Sequence, residues 1–142
     1  MRIELINTVL AGFAGGLVGT LWGGLVSAPL LSRQPALRAL GWVPDSGMRV
    51  LATAIVYGAA GAGAGLLFWL GWGLAAFVAV PWYVVGAAFG GLLWVGAAMP
   101  ALLLLATRLP ALRAACSIIA LETCAAALAV GLLCALVWQR AT

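Results

Sequence analysis

Histidine and lysine are missing from this 142-residue chain, and its acids number three: Glu4, Asp45 and Glu122. With them go the usual elements of catalysis: the sequence has no paired carboxylates and no nucleophile–base couple. Cys124 and Glu122 lie two positions apart, and residues so spaced point to different faces of a helix. Three dispersed cysteines and one buried-looking acid make no metal site. No enzymatic activity, metal or cofactor is expected.

Charge of either sign is scarce. Only 7% of the residues are charged, against 66% that are hydrophobic, whereas a water-soluble domain carries roughly 25% charged residues. This chain has too few to clothe a surface facing water. The pI of 9.6 rests on seven arginines scattered at the ends of apolar runs. That is the pattern of membrane topology and lipid headgroup contact rather than of nucleic-acid binding.

What is abundant is apolar length. Apolar stretches extend over 5–31, 50–107 and 114–138, and a helical span needs about 20 such residues. The middle run suits two spans, with Gly71-Trp72-Gly73 as the break and Pro81 in the first turn of the next helix. Four spans result, at about 5–31, 49–72, 78–107 and 114–138, within a single transmembrane domain covering 1–142. The fold expected is all-α, a four-helix transmembrane bundle. Pro29 and Pro100 fall near the ends of spans one and three, where a kink or stop is cheap in a membrane protein. The opening "MRIELIN" contains an acid and precedes a run far longer than a signal-peptide core, so the first segment is expected to remain as a span. All three cysteines (Cys116, Cys124, Cys134) lie in the last span, as small apolar fillers beyond disulfide reach of one another.

One basic phrase occurs twice. "SRQPALRAL" (32–40) and "TRLPALRAA" (107–115) share R-x-P-A-L-R-A and fill the first and third connections. At the same offset "GGL" at 15–17 falls on "GGL" at 90–92, and "AGLLFWLGW" at 64–72 resembles "VGLLCALVW" at 130–138. Two parallel copies of one helical hairpin, halves 1–73 and 74–142, account for this. So does a proline turn flanked by arginine that caps two hairpins independently. Connections one and three carry Arg33, Arg38, Arg49, Arg108 and Arg113, against Arg2 and Arg140 on the opposite side. The imbalance places those connections in the cytoplasm and both termini outside. Trp69, Trp72 and Trp138 would then mark the outer interface and Trp42 the inner one.

Span one carries two ladders of small residues at four-residue spacing. They are Ala11, Gly15, Gly19, Gly23, Ser27 and Gly12, Gly16, Thr20, Gly24, Ala28. Each ladder keeps to one helix face, and small residues are what let helices pack closely in lipid. Gly61 with Gly65 and Gly86 with Gly90 are shorter versions. The ladders fit an interface with a second copy or another membrane subunit, and equally a helix at the centre of the chain's own bundle.

Glu122 stands nine residues beyond Arg113, roughly 13 Å along a helix and near mid-membrane. Placing an ionised side chain there costs about 3 kcal/mol on insertion scales, so it must be neutral, paired or facing a wet cavity. It could handle a proton, a cation or a cationic substrate, with Thr20 and Tyr57 as neighbours. It could instead be structural glue bonded to Thr20, Thr53, Tyr57 or Asn7. If span four starts late, it would sit at the interface beside Arg49 or Arg113. Alignment of the halves puts it on Val56, so an acid site would be asymmetric. Asp45 or Ser46 is expected to cap the first turn of span two.

The segments "INTVLAGFAGG", "GTLWGGLVSAPLLSR" and "RALGW" resemble a family of small bacterial four-span membrane proteins carried as a domain of unknown function. Its pattern is an early Asn, an L-W…P-L signature, R-A-x-G before span two, and a third span like "LLWVGAAMPALLLL". Trp22 and Pro29 are seven apart here, wider than in that pattern. The resemblance implies four spans in a bacterial inner membrane and assigns no activity. From the residues, two functions lead: a non-catalytic subunit packing through its Gly faces, as a homo-oligomer or in a membrane complex, or a small proton- or cation-coupled transporter using Glu122; an embedded enzyme contacting lipid or quinone is a third, weaker reading. Partners are lipids and membrane protein, not nucleic acid.

Overall fold

The computed structural model describes residues 2–41, 47–72 and 80–141, and it is all-helical over those residues. Helix α1 runs Arg2–Trp22 and continues through a π turn, Gly23–Ser27, into Ala28–Leu31. A short α2 (Pro35–Ala39) follows. Helix α3 is Gly47–Leu67 with a π turn at Phe68–Trp72. Helix α4 is Trp82–Leu93, a π turn Trp94–Ala98 and Met99–Arg108, and α5 is Arg113–Ala141. Helices α1, α3, α4 and α5 are each long and apolar enough to cross a membrane, in agreement with four spans. One boundary is corrected: α4 begins at Trp82 rather than 78, because Pro81 is its N-cap with ψ 140°, outside the helix instead of in its first turn. The expected cap at Asp45 or Ser46, the Trp42 marker and the Gly73 break lie outside the described residues.

Neither inner proline stops its helix. A proline cannot donate to the carbonyl four residues back, and its ring collides with that carbonyl. Both helices absorb the misfit in the same way, with a π turn ending two residues before the proline. Ala28 N–H donates to Gly23 O, and Met99 N–H to Trp94 O, an i→i−5 bond.

The repeated phrase also acts twice, with different outcomes. Pro35 and Pro110 each follow a non-helical residue, Gln34 (ψ 118°) and Leu109 (ψ 80°), as the steric demand of a proline requires. The second arginine of each phrase turns back onto the end of the preceding span. Arg38 Nε donates to Ser32 O at 2.8 Å and Arg113 Nε to Ala106 O at 3.5 Å, which satisfies carbonyls left over at a helix C-terminus. Past the first phrase, Gly41 takes φ +75° and ends α2. The second phrase has no such residue, and a single 3-10 turn, Pro110–Leu112, leads straight into α5. Arg33, Arg38, Arg49, Arg108 and Arg113 are all exposed at this loop end, while Arg2 and Arg140 are exposed at the other.

The two hairpins are built alike. In the first, Gly12 lies against the Gly61 carbonyl and Gly16 against the Tyr57 carbonyl. In the second, Gly86 lies against the Gly131 carbonyl and Gly90 against the Ala127 carbonyl. The arrangement is the same one displaced by 74 residues in the first helix and 70 in the second (12 to 86, 16 to 90; 61 to 131, 57 to 127). By this contact, Glu122 corresponds to Ala52. The sequence match had given Val56, one helical turn away; backbone contact fixes the register that similar Gly/Leu strings leave loose.

Between the hairpins, α1 and α5 pack closely: Gly15 meets Val130 and Gly19 meets Ala126. The opposite seam, α3 with α4, stays mostly apart. Where α1 has Gly15, Gly19 and Gly23, the matching positions of α4 hold Phe89, Leu93 and Ala97, too bulky for the same approach. The seam is joined at the terminal end by Phe68, fully buried, whose ring meets Phe89 edge-on at 5.0 Å and Trp138 at 6.5 Å.

Candidate functional site

Helix α5 starts directly at Arg113, so Glu122 is carried into the bundle rather than left at its edge. It is 8% exposed and is the one acid among the buried described residues. The Tyr57 hydroxyl donates to Glu122 Oε1 at 2.6 Å. Of the four bonding partners proposed from sequence, Tyr57 is therefore the one bonded to it; Asn7 lines a different cavity, with Arg140 at the terminal end.

The glycine ladder seats this pair. A methyl group at Gly19 would stand 2.7 Å from Cδ1 and Cε1 of Tyr57, and one at Gly23 would stand 3.2 Å from Glu122 Oε1. Gly12, Gly15 and Gly16 are buried against α3 and α5. Five of the six glycines offered as a helix-packing interface are thus used inside the bundle, and Gly24 alone has nothing within 4 Å. Intramolecular packing accounts for those five glycines. The glycines and the acid, which look like separate features in the sequence, are one construction.

Glu122 borders a cavity of about 200 Å³ between α1 and α3, lined also by Thr20, Gly23, Gly24, Ser27, Arg49 and Thr53. It runs from Glu122 to Leu31 and Arg49 at the loop end. Its hydroxyls are unusual. The described residues hold eight serines and threonines, and six of these (Thr8, Ser32, Thr53, Thr107, Ser117, Thr123) donate to a carbonyl three or four residues back, the ordinary resort of a hydroxyl in a helix. The two exceptions are Thr20 Oγ1 and Ser27 Oγ, both buried without a partner and both in this cavity's lining. Ser27 is 1% exposed and ends the π turn before Pro29. An unsatisfied buried hydroxyl costs about 1–3 kcal/mol, and both of these belong to residues that line the same cavity as the Glu122 carboxyl.

Ser27 was not singled out for this in the sequence, although it is the last rung of the Gly15–Gly19–Gly23 ladder. Arg49, expected to set topology and to neighbour Glu122 only if span four started late, lines the cavity at its rim. Thr20 and Tyr57, named beside Glu122 from the sequence, are both brought to it. Comparison with family models, curated proteins and solved structures gives no match, so the site is interpreted from its own geometry.

Proposed function

We propose that this is a non-enzymatic carrier of the bacterial inner membrane in which Glu122 binds a proton or a monovalent cation. Connections one and three face the cytoplasm and both termini face outside, as the grouping of five exposed arginines at one end favours. The observation that carries the proposal is the convergence of Glu122 with the unpartnered Thr20 and Ser27 hydroxyls on one cavity inside the bundle. Carboxylate and hydroxyl oxygens suit a proton, its water or a partly dehydrated cation. A carboxyl at such depth in a membrane protein is costly unless it is used or fully paired, and Tyr57 occupies one of its two oxygens. Cavity-lining irregular helix is also where transporters place ion sites, and here the π turn Gly23–Ser27 supplies part of the wall.

The reading as a subunit that docks through the Gly faces of α1 finds less support, since those faces are occupied by α3 and α5. The deciding experiment uses vesicles containing the protein and a lumenal pH dye. A cation gradient of sodium, potassium or an organic ammonium should move protons through wild type and not through Glu122→Gln. Equal proton movement in both, for every cation offered, would overturn the proposal.

A further inference from the structure

A second cavity reaches Tyr57, the partner of Glu122. It lies in the open seam between α3 and α4, holds about 210 Å³, and is lined by Tyr57, Ala60, Ala64, Leu93, Ala97 and Val130 among others, none of them charged. The seam is open for a reason stated in the sequence: α4 carries Phe89, Leu93 and Ala97 where α1 carries glycines, and the Phe68–Phe89 contact props the terminal end. Ala60 and Ala97 are exposed on the outer perimeter of the bundle. Tyr57 links the two spaces: it lines this groove, and its hydroxyl donates to Glu122, which lines the polar cavity.

From this juxtaposition we propose that the groove is a lipid-side approach to Glu122 for an amphiphilic organic cation, whose apolar body lies in the groove and whose ammonium displaces the Tyr57 hydroxyl at the carboxylate. The inference rests on the reading of Glu122 as a proton- and cation-binding group. Charge selects the occupant. The one ionisable acid joined to this groove is Glu122, through Tyr57, and the groove lining itself brings no basic group to greet an anion. A cation leaving water for an apolar wall needs an opposite charge at the end of its path, and the groove lining includes one aromatic residue, Tyr57, of a kind that attracts an ammonium. Size limits the body: a dry cavity of about 150 Å³ takes a benzene ring, so this groove accepts one ring or a short alkyl group, with anything larger extending into lipid. The exchange balances. A protonated Glu122 gives its proton to the loop-end cavity and receives one monovalent cation, leaving the charge of the site unchanged.

The test is carbodiimide labelling of Glu122 in the detergent-solubilised full chain, read by peptide mass with Glu122→Gln as the blank. Benzyltrimethylammonium should protect Glu122, while neopentylbenzene, of the same shape without charge, should not. Ala97→Leu fills the groove without touching Glu122; it should leave unliganded labelling unchanged and raise the benzyltrimethylammonium needed by about tenfold or more, the equivalent of losing most of one ring's contact. Ala60→Leu, on the opposite wall, serves the same purpose should the first variant fail to fold. Labelling with no protection, equal protection by the neutral compound, or protection indifferent to the groove variants would overturn the lipid-side approach and leave the carboxyl reading standing. No labelling of Glu122 in wild type would overturn the carboxyl reading itself.

Discussion

The Tyr57 hydroxyl and Glu122 Oε1 are 2.6 Å apart and 65 residues distant in sequence, and their bond joins α3 to α5 across a glycine, Gly19, on α1. Close backbone approach is what allows it: with any side chain at position 19, the Tyr57 ring would be pushed away. The bond is therefore a product of the small-residue packing, and its strength can be tested apart from that packing.

Tyr57→Phe keeps the ring on Gly19 and removes only the hydroxyl. Polar bonds between membrane helices average about 0.6 kcal/mol and reach about 1.7, so thermal unfolding in detergent should shift down slightly, by an amount within that range. Carbodiimide labelling of Glu122 should become faster, because the carboxyl has lost its partner. A large loss of stability with unchanged labelling would mean that the pair is mainly glue.

Gly12→Ala should be far more damaging than Gly63→Ala, although both place one methyl group on a helix. At Gly12 the new Cβ would overlap the Gly61 carbonyl, so two backbones must separate; at Gly63 nothing lies within 4 Å. Overpacking of this kind costs typically 1–3 kcal/mol, while an outward glycine replaced by alanine gains up to about 1 kcal/mol in helix propensity. Melting temperatures should move in opposite directions. A shared response would show that α1 and α3 are not packed as described.

Much of this architecture can be read from the chain because its cause is local and repetitive. Span number follows from apolar length, and the loop-end grouping of arginines from the twice-written phrase. The identity of Tyr57 as the partner of Glu122 was among four candidates, since sequence gives depth along a helix but not rotation about it. Rotation is where the reading ran out. The π turn before Pro29 advances the face of α1, and Ser27 at its end comes to line the cavity; no four-residue ladder foretells that. The open α3–α4 seam was legible in principle, as Phe89, Leu93 and Ala97 against three glycines, but only once the contact register of the hairpins was fixed by the paired carbonyls of Tyr57 and Ala127.

Orientation in the membrane is a question of arginine placement. Reporter fusions to the termini should show both outside the cytoplasm. Removing Arg33, Arg38, Arg108 and Arg113 together, with arginines added beside Arg2 and Arg140, should invert that result, because the bias of basic residues near span ends sets topology. Termini found in the cytoplasm of the unmodified protein would reverse the direction in which the Glu122 cavity faces.

Pro29→Ala is the sharpest test of the cavity's origin. Pro29 cannot donate to the carbonyl of residue 25, and the π turn Gly23–Ser27 accommodates it. Alanine supplies the missing donor, so α1 can continue as a regular helix, and stability in detergent should be no lower than wild type. Removing the extra residue of the turn shifts one flank by a residue, about 100° of rotation. Ser27 then leaves the cavity and the apolar Val26 takes its place. Labelling of Glu122 should slow, and cation-driven proton movement should fall with it. Pro100→Ala is the control. Its π turn carries Trp94, whose indole donates to Ala120 O at 3.0 Å and to Thr123 Oγ1 at 3.2 Å, and neither Trp94 nor Pro100 lines the Glu122 cavity. That variant should alter the packing of α4 on α5 while labelling stays at the wild-type rate. If both substitutions slow labelling equally, the π turn of α1 has no special part in the site, and the unpartnered Ser27 hydroxyl needs another explanation.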